Sequence, residues 1–154
     1  MNVVQLIEQV NSVVDKKGFV VINGRFCSGK SWLINNLGKD IFLVDKREQA
    51  LKGDEYSIRA MDKWGIRTAP HKVVAVDEAQ LMSFKELIEI AELCISTKKG
   101  LICVSQQNSS IPCVQFQALL DKNELTSIHI ELDGFDTVNM TPISMSFENE
   151  LVCK

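Results

Sequence analysis

The residues from Gly24 to Ser31 have the types and spacing that bind a polyphosphate. They read Gly-Arg-Phe-Cys-Ser-Gly-Lys-Ser, which fits the pattern G-x-x-x-x-G-K-[ST] at every fixed position. Gly24 and Gly29 allow a close approach of the backbone to an anion. The loop amides and the positive end of the following helix then surround the phosphate oxygens. We expect Lys30 to reach the terminal phosphates and Ser31 to offer its hydroxyl group to Mg²⁺.

The other predicted contacts with the nucleotide come from the variable positions of this loop and from the residue after it. These residues are Arg25, Phe26, Cys27, Ser28 and Trp32. Cys27 is interpreted as a small filler, with a redox-sensitive thiol as the alternative. Trp32 is also expected to pack its helix against the sheet.

Two carboxylates follow the clearest strand pattern in the chain. The stretch KVVAVDEAQ, residues 72–80, is apolar up to Asp77, and Glu78 comes next. An aspartate at a strand end is the usual metal partner of a phosphate-binding loop, so Asp77 is predicted to bind Mg²⁺ together with Ser31. Glu78 is predicted to polarise an attacking water or hydroxyl group.

Apolar segments of strand length alternate with segments of helical periodicity along most of the 154 residues. This alternation predicts an α/β fold with one doubly wound, mostly parallel sheet and helices on both faces. Such sheets bind ligands at the carboxyl ends of their strands, where both motifs fall. The expected organisation is a single domain over 1–154, with an N-terminal helix over 1–16 and a weakly patterned tail over 133–154. Residues 48–70 give no clear pattern, and PISMSF in the tail suggests an edge hairpin.

Composition restricts the class of protein. The chain is 45% hydrophobic and 24% charged, with a net charge of −3, so it is not a general polyelectrolyte binder. Its five cysteines lack Cys-x-x-Cys spacing and are expected to be reduced and mostly buried. No apolar run is long enough for a membrane span, and no secretory signal is recognised, so a cytoplasmic location is expected. Trp64 is expected to be buried, with a contact to a base or a partner as the alternative.

Gly24–Ser31 resembles a Walker A motif, and VVAVDEAQ resembles a Walker B motif with a glutamate directly after the aspartate. Together they look like the branch of P-loop ATPases that has a catalytic glutamate and an added strand, which includes RecA-like, HerA/FtsK-like and helicase domains. The resemblance implies a P-loop three-layer sandwich and Mg²⁺-dependent ATP hydrolysis. It also implies a γ-phosphate sensor at the tip of the strand LICVS. Gln106 is the preferred candidate for that sensor, ahead of Gln107 and Ser105.

Within this branch, KKGLICVSQQNSSIP is similar in pattern to HerA/FtsK-type DNA translocases and Zot-like phage proteins. The likeness implies an ATPase that serves a nucleic-acid or mobile-element process of a plasmid or phage. The implied partners are ATP, DNA or RNA or a nucleic-acid-processing complex, and further copies of the chain in a homo-oligomer. Those families are usually longer, and their rings use an arginine finger, whereas no arginine follows Arg67 in this chain.

Two other functions stay open on the sequence. The same two motifs resemble those of type II thymidine kinases, but the Cys-x-x-Cys pairs of that family's zinc module are missing and Lys30 and Asp77 are closer in sequence than is usual there. The other hypothesis is a switch or accessory subunit that binds ATP with little turnover. The absence of an N-K-x-D motif favours ATP over GTP in each case.

Overall fold

A computed structural model of the chain describes residues 3–24, 29–45, 60–106, 111–136, 141–142 and 145–151. The helices within them are α1 (Val3–Asp15), α2 (Lys30–Asn35), α3 (Ala60–Thr68), α4 (Phe84–Ser96) and α5 (Cys113–Lys122). The strands are β1 (Phe19–Gly24), β2 (Ile41–Asp45), β3 (Val73–Asp77), β4 (Gly100–Ser105), β5 (Ser127–Leu132), β6 (Phe135–Asp136), β7 (Thr141–Pro142) and β8 (Met145–Glu148).

Six strands form one sheet in the order β2-β3-β4-β1-β5-β8. The first five are parallel, and β8 runs antiparallel to β5 at one edge. Because the five parallel strands run in the same direction, their C-terminal residues all lie along the same side of the sheet. β4 lies between β1 and β3, so the strand that leads into the predicted phosphate-binding motif does not pair with the strand that ends in Asp77.

Buried side chains cover both faces of the sheet, which is why the central strands are almost continuously apolar. On one face α1 and α2 pack through Leu6, Val10 and Leu33. On the other face α3, α4 and α5 pack through residues such as Ile66 and Phe116. The predicted fold class, a doubly wound sheet between two layers of helices, is confirmed.

The helix of clearest periodicity is α4, and the sequence also determines where it begins. Ser83 has extended backbone angles, and its hydroxyl oxygen accepts a 3.3 Å hydrogen bond from the amide of Glu86. This side chain therefore caps the first turn, as serine does at many helix starts. Leu87, Ile90 and Cys94 then recur on the buried face at helical spacing.

The structure contains a helix, α3, in the segment that the sequence did not resolve. Its pattern is weak because Gly65 interrupts it, although the backbone there is helical. A Cβ atom on Gly65 would lie 2.4 Å from Cζ of Phe42, so the glycine allows the helix to lie directly on the β2 ring. The buried face of α3 carries Asp62, Gly65 and Ile66.

The expectation that Trp64 is buried was wrong. Its side chain is 69% exposed, because it lies on α3 opposite the residues that face the sheet. The tail also differs in part from the predicted hairpin: Met145–Glu148 is an edge strand paired with β5, while β6 pairs with β7 in a separate two-stranded ladder. Among the described residues, every helix falls short of the length and apolar content that crossing a bilayer requires.

Candidate functional site

The two ends of the predicted phosphate-binding loop are held by secondary structure. Gly24 is the last residue of β1, and α2 begins at Lys30. Gly29, the residue before the helix, has φ 94° and ψ 15°, which is left-handed backbone that glycine adopts without steric cost. The predicted loop residues Arg25, Phe26, Cys27 and Ser28 lie outside the described residues.

Lys30 is only 9% exposed, and its ammonium group donates a 2.6 Å hydrogen bond to the carbonyl oxygen of Gly24. The side chain therefore folds back across the two ends of the loop. Ser31 follows on the exposed side of α2, where its hydroxyl group is accessible. Trp32 is half-buried and packs against the apolar cluster on the face of α1 and α2, as expected.

Asp77 ends β3 beside Asp45, the last residue of β2, because the two are partners in the parallel register. Burial raises the pKa of the Asp77 carboxyl, and the nearby carboxylates of Glu78 and Asp45 raise it further. A 2.9 Å hydrogen bond from the Glu78 amide to Oδ1 and the charge of Lys30 act in the opposite direction. A cation bound at Asp77 would offset the free-energy cost of burying its negative charge and would reduce its repulsion by Glu78 and Asp45.

The two residues predicted to hold Mg²⁺ both carry oxygen donors. Mg²⁺ prefers oxygen ligands and usually keeps several waters while binding one or two protein groups. Ser31 offers a hydroxyl oxygen and Asp77 a carboxylate oxygen. Asp77 lies two positions after Ala75 and four after Val73, so its side chain points to the same face of the sheet as theirs, which is the face that α1 and α2 cover.

Glu78 forms a sharp bend directly after the strand. Its φ of 55° and ψ of 46° are left-handed, which costs a residue with a side chain about 1–2 kcal/mol. Such conformations persist where surrounding structure requires them, and they concentrate at functional sites. A single 3₁₀ turn, Ala79–Leu81, follows the bend.

The carboxylate of Glu78 meets the tip of β4. The side-chain amide of Gln106 lies 3.3 Å from Oε2 and 3.5 Å from Oε1 of Glu78, and Gln106 is exposed at the end of the strand. The preferred sensor candidate thus contacts the predicted base. Ser105 is buried within β4, and Gln107 lies outside the described part of the chain.

Sequence reasoning missed three features at this edge. Asp45 ends IFLVD as Asp77 ends VVAVD, so the repeated strand-end aspartate was a usable signal. Gln80 contacts both Glu78 and Gln106, although nothing in its spacing indicates this.

The third missed feature is a polar cluster next to Gly24, on the face of the sheet that α3, α4 and α5 cover. The Asn23 side-chain amide donates 3.3 Å hydrogen bonds to both carboxylate oxygens of Glu131, and the buried His129 ring contacts the same carboxylate at 3.1 Å. The alternating polar residues in SIHIEL place His129 and Glu131 on one face, which was the available signal.

Comparisons with known proteins give a structural similarity. No family model matches the chain, and no curated protein matches its sequence. Among solved structures it is similar to AMPPCP-bound DnaA from Aquifex aeolicus, with a TM-score of 0.47 and 16% sequence identity. The similarity covers 82% of this chain and 43% of the DnaA chain, so this chain corresponds to less than half of that protein.

Proposed function

We propose that this chain is a Mg²⁺-dependent P-loop ATPase that binds ATP and hydrolyses it to ADP and phosphate. The observation that carries the proposal is the contact between the Gln106 amide and the Glu78 carboxylate at the edge where Lys30 and Asp77 also lie. A cationic phosphate ligand, a metal ligand, a base and a polar sensor are the parts that phosphoryl transfer to water requires.

Each side chain has a defined role in the proposed reaction. Lys30 exchanges its bond to the Gly24 carbonyl oxygen for one to the terminal phosphates. Ser31 and Asp77 would hold Mg²⁺, which would supply positive charge against the phosphate oxygens. Glu78 accepts a proton from the attacking water as the new P–O bond forms and the bond between the γ-phosphorus and the bridging oxygen breaks. Gln106 donates a hydrogen bond to a γ-phosphate oxygen.

The strand order supports the branch with a catalytic glutamate. That branch has an added strand, and here β4 lies between β1, which leads into the predicted Walker A motif, and β3, which ends in Asp77. We assign Gln106, at the tip of β4, as the sensor on the same basis. The proposed process is a nucleic-acid or mobile-element process, supported by the sequence pattern after β3 alone.

One observation favours a second candidate, an ATP-dependent switch or accessory subunit with little turnover. Arg67 is the only arginine among the described residues, and it lies in the last turn of α3, six residues before the start of β3. Arg67 therefore lies toward the N-terminal end of β3, whereas Glu78 follows the C-terminal end of the same strand. Fast hydrolysis needs a further positive charge on the transition state, which would come from an arginine outside the described residues (Arg25, Arg47 or Arg59), a neighbouring copy or a partner.

A turnover assay separates these functions. ADP and phosphate release from Mg·ATP is measured alone, with single-stranded DNA, with duplex DNA and with thymidine. Stimulation by DNA supports the ATPase in a nucleic-acid process, and tight ATP binding without turnover in any mixture supports the switch. ADP formation that requires thymidine would contradict both of these functions and would indicate a nucleoside kinase. Absence of ATP binding would contradict the proposal as a whole.

A further inference from the structure

The side chain of Gln80 connects the predicted base with the predicted sensor. Its amide nitrogen donates a short hydrogen bond to Oε2 of Glu78. Its carbonyl oxygen accepts a 3.2 Å hydrogen bond from the backbone amide of Gln106. One half-buried glutamine thus spans the tips of β3 and β4, with both ends of its amide in use.

The backbone that carries Gln80 is held in place. The amide of Leu81 donates a 3.0 Å hydrogen bond to the carbonyl oxygen of Glu78, and the amide of Met82 donates one of 3.0 Å to Ala79. Ala79 and Met82 are buried at 0% and 3% exposure, so they anchor the 3₁₀ turn in the core. Gln80 projects from a fixed turn, and its contacts are not those of a loose surface side chain.

The contacts are unequal at the two carboxylate oxygens of Glu78. Among the described residues, Oε2 receives the Gln80 amide and the nearer Gln106 contact of 3.3 Å, whereas Oε1 has only the Gln106 contact of 3.5 Å. A carboxylate offers about four acceptor sites on its two oxygens. Oε1 is consequently the oxygen with more capacity left for the proton of a water molecule.

We propose that Gln80 is a positioning residue that binds Oε2 of Glu78 and the backbone of Gln106, and so fixes the base relative to the strand end that carries the sensor. When Gln106 turns toward a γ-phosphate, Gln80 keeps its amide on Oε2 and holds Oε1 toward the attacking water. This inference rests on the proposed ATPase function, which supplies the water and the phosphate.

Measuring kcat and the Kd for ATP separately tests whether Gln80 acts on the chemical step and not on nucleotide binding. In Gln80→Ala and in the similarly shaped Gln80→Glu, which cannot donate to Glu78, we expect kcat to fall about tenfold while the Kd for ATP changes less than about twofold. Gln115→Ala, which removes an exposed glutamine from α5, is the matched control and should retain the parental kcat. Parental kcat in Gln80→Ala would overturn the proposal, as would a Gln80→Glu variant that restores it.

A double-mutant cycle tests the coupling between base and sensor. Residues that act as one unit are not additive, so Gln80→Ala with Gln106→Ala should lower kcat by much less than the product of the two single losses. A loss equal to that product would mean that the two glutamines act independently, which contradicts the proposal.

An NMR measurement keeps this inference separate from the proposed function. The side-chain amide signal of Gln80 is identified by its absence in Gln80→Ala, in protein without nucleotide. We expect Glu78→Gln, which changes the acceptor of the Gln80 amide, to shift that signal, and Gln115→Ala to leave it in place. If the signal does not move, the inference fails even in an active ATPase. If the signal moves but the parent protein never binds ATP, the proposed function fails and the contact stands.

Discussion

The ammonium group of Lys30 donates a 2.6 Å hydrogen bond to the carbonyl oxygen of Gly24, which closes the two ends of the candidate phosphate loop on each other. Lys30 is almost buried, so its charge needs a polar partner even without a nucleotide. The Gly24 carbonyl oxygen is one such partner, and the charge of Lys30 also acts on the Asp77 carboxyl. We expect a bound polyphosphate to replace the bond to Gly24.

Lys30→Ala should therefore remove most of the affinity for ATP. A hydrogen bond to a charged group contributes about 1.5–3 kcal/mol, so we expect the Kd for ATP to rise by roughly 10- to 150-fold. Isothermal titration calorimetry measures this change directly. Lys122→Ala, an exposed lysine on α5, serves as the control with parental affinity. Equal affinities of Lys30→Ala and the parent would remove the loop from the site.

Asp77 should reduce the stability of the protein without nucleotide. Because burial raises the pKa of this carboxyl above its ordinary value of 3.8, the folded chain holds the proton more tightly than the unfolded chain does. Stability is consequently lost as the pH rises from 3.8 through the raised pKa. Asp77→Asn avoids this loss, so at pH 7 its Tm should exceed the parental Tm, by about 2–4 °C for each kcal/mol relieved.

Thermal unfolding at several pH values checks the prediction for Asp77. The gain in Tm of Asp77→Asn should shrink as the pH falls toward 3.8, and Mg·ATP should raise the Tm of the parent but not that of the variant. Asp121→Asn, on the exposed side of α5, is the control for loss of one negative charge. A variant less stable than the parent at pH 7 would show that Asp77 is structural.

Glu78→Gln should separate binding from chemistry. The amide keeps the shape of the side chain but cannot accept the proton of the attacking water, and general base catalysis contributes about 10²–10⁴-fold to a rate. We expect turnover to fall within that range while ATP still binds with near-parental affinity. Glu92→Gln, an exposed residue of α4, is the matched control. Hydrolysis by Glu78→Gln at the parental rate would refute the assignment of the base.

The sequence predicted the parts of this fold that depend on local pattern. The strand that ends in Asp77 and the helix that begins after Ser83 were visible because burial on two faces gives continuous apolar runs and burial on one face gives helical periodicity. Lys30 and Asp77 were chosen as candidate site residues because their motifs follow such apolar runs, and that assignment stays a prediction.

What the sequence did not predict depends on contacts between distant segments. Gln80 and Gln106 are 26 positions apart, and only the pairing of β3 with β4 brings their side chains to one carboxylate. Asp45 meets Asp77 through the register of β2 on β3. Trp64 is exposed because α3 packs on β2 through Gly65, which leaves the tryptophan on the outer side of the helix. Composition alone does not reveal which side of α3 faces the sheet.

Gly65 in α3 provides a test of packing that is independent of the site. Alanine normally stabilises a helix relative to glycine by about 1 kcal/mol, but here its Cβ would meet the Phe42 ring at 2.4 Å. Overpacking typically costs about 1–3 kcal/mol, so Gly65→Ala should lower the free energy of unfolding in urea. In a Phe42→Leu background, where the ring is gone, the same change should become neutral or stabilising. If Gly65→Ala stabilised the parent protein, α3 would not lie on β2 as closely as the structure has it.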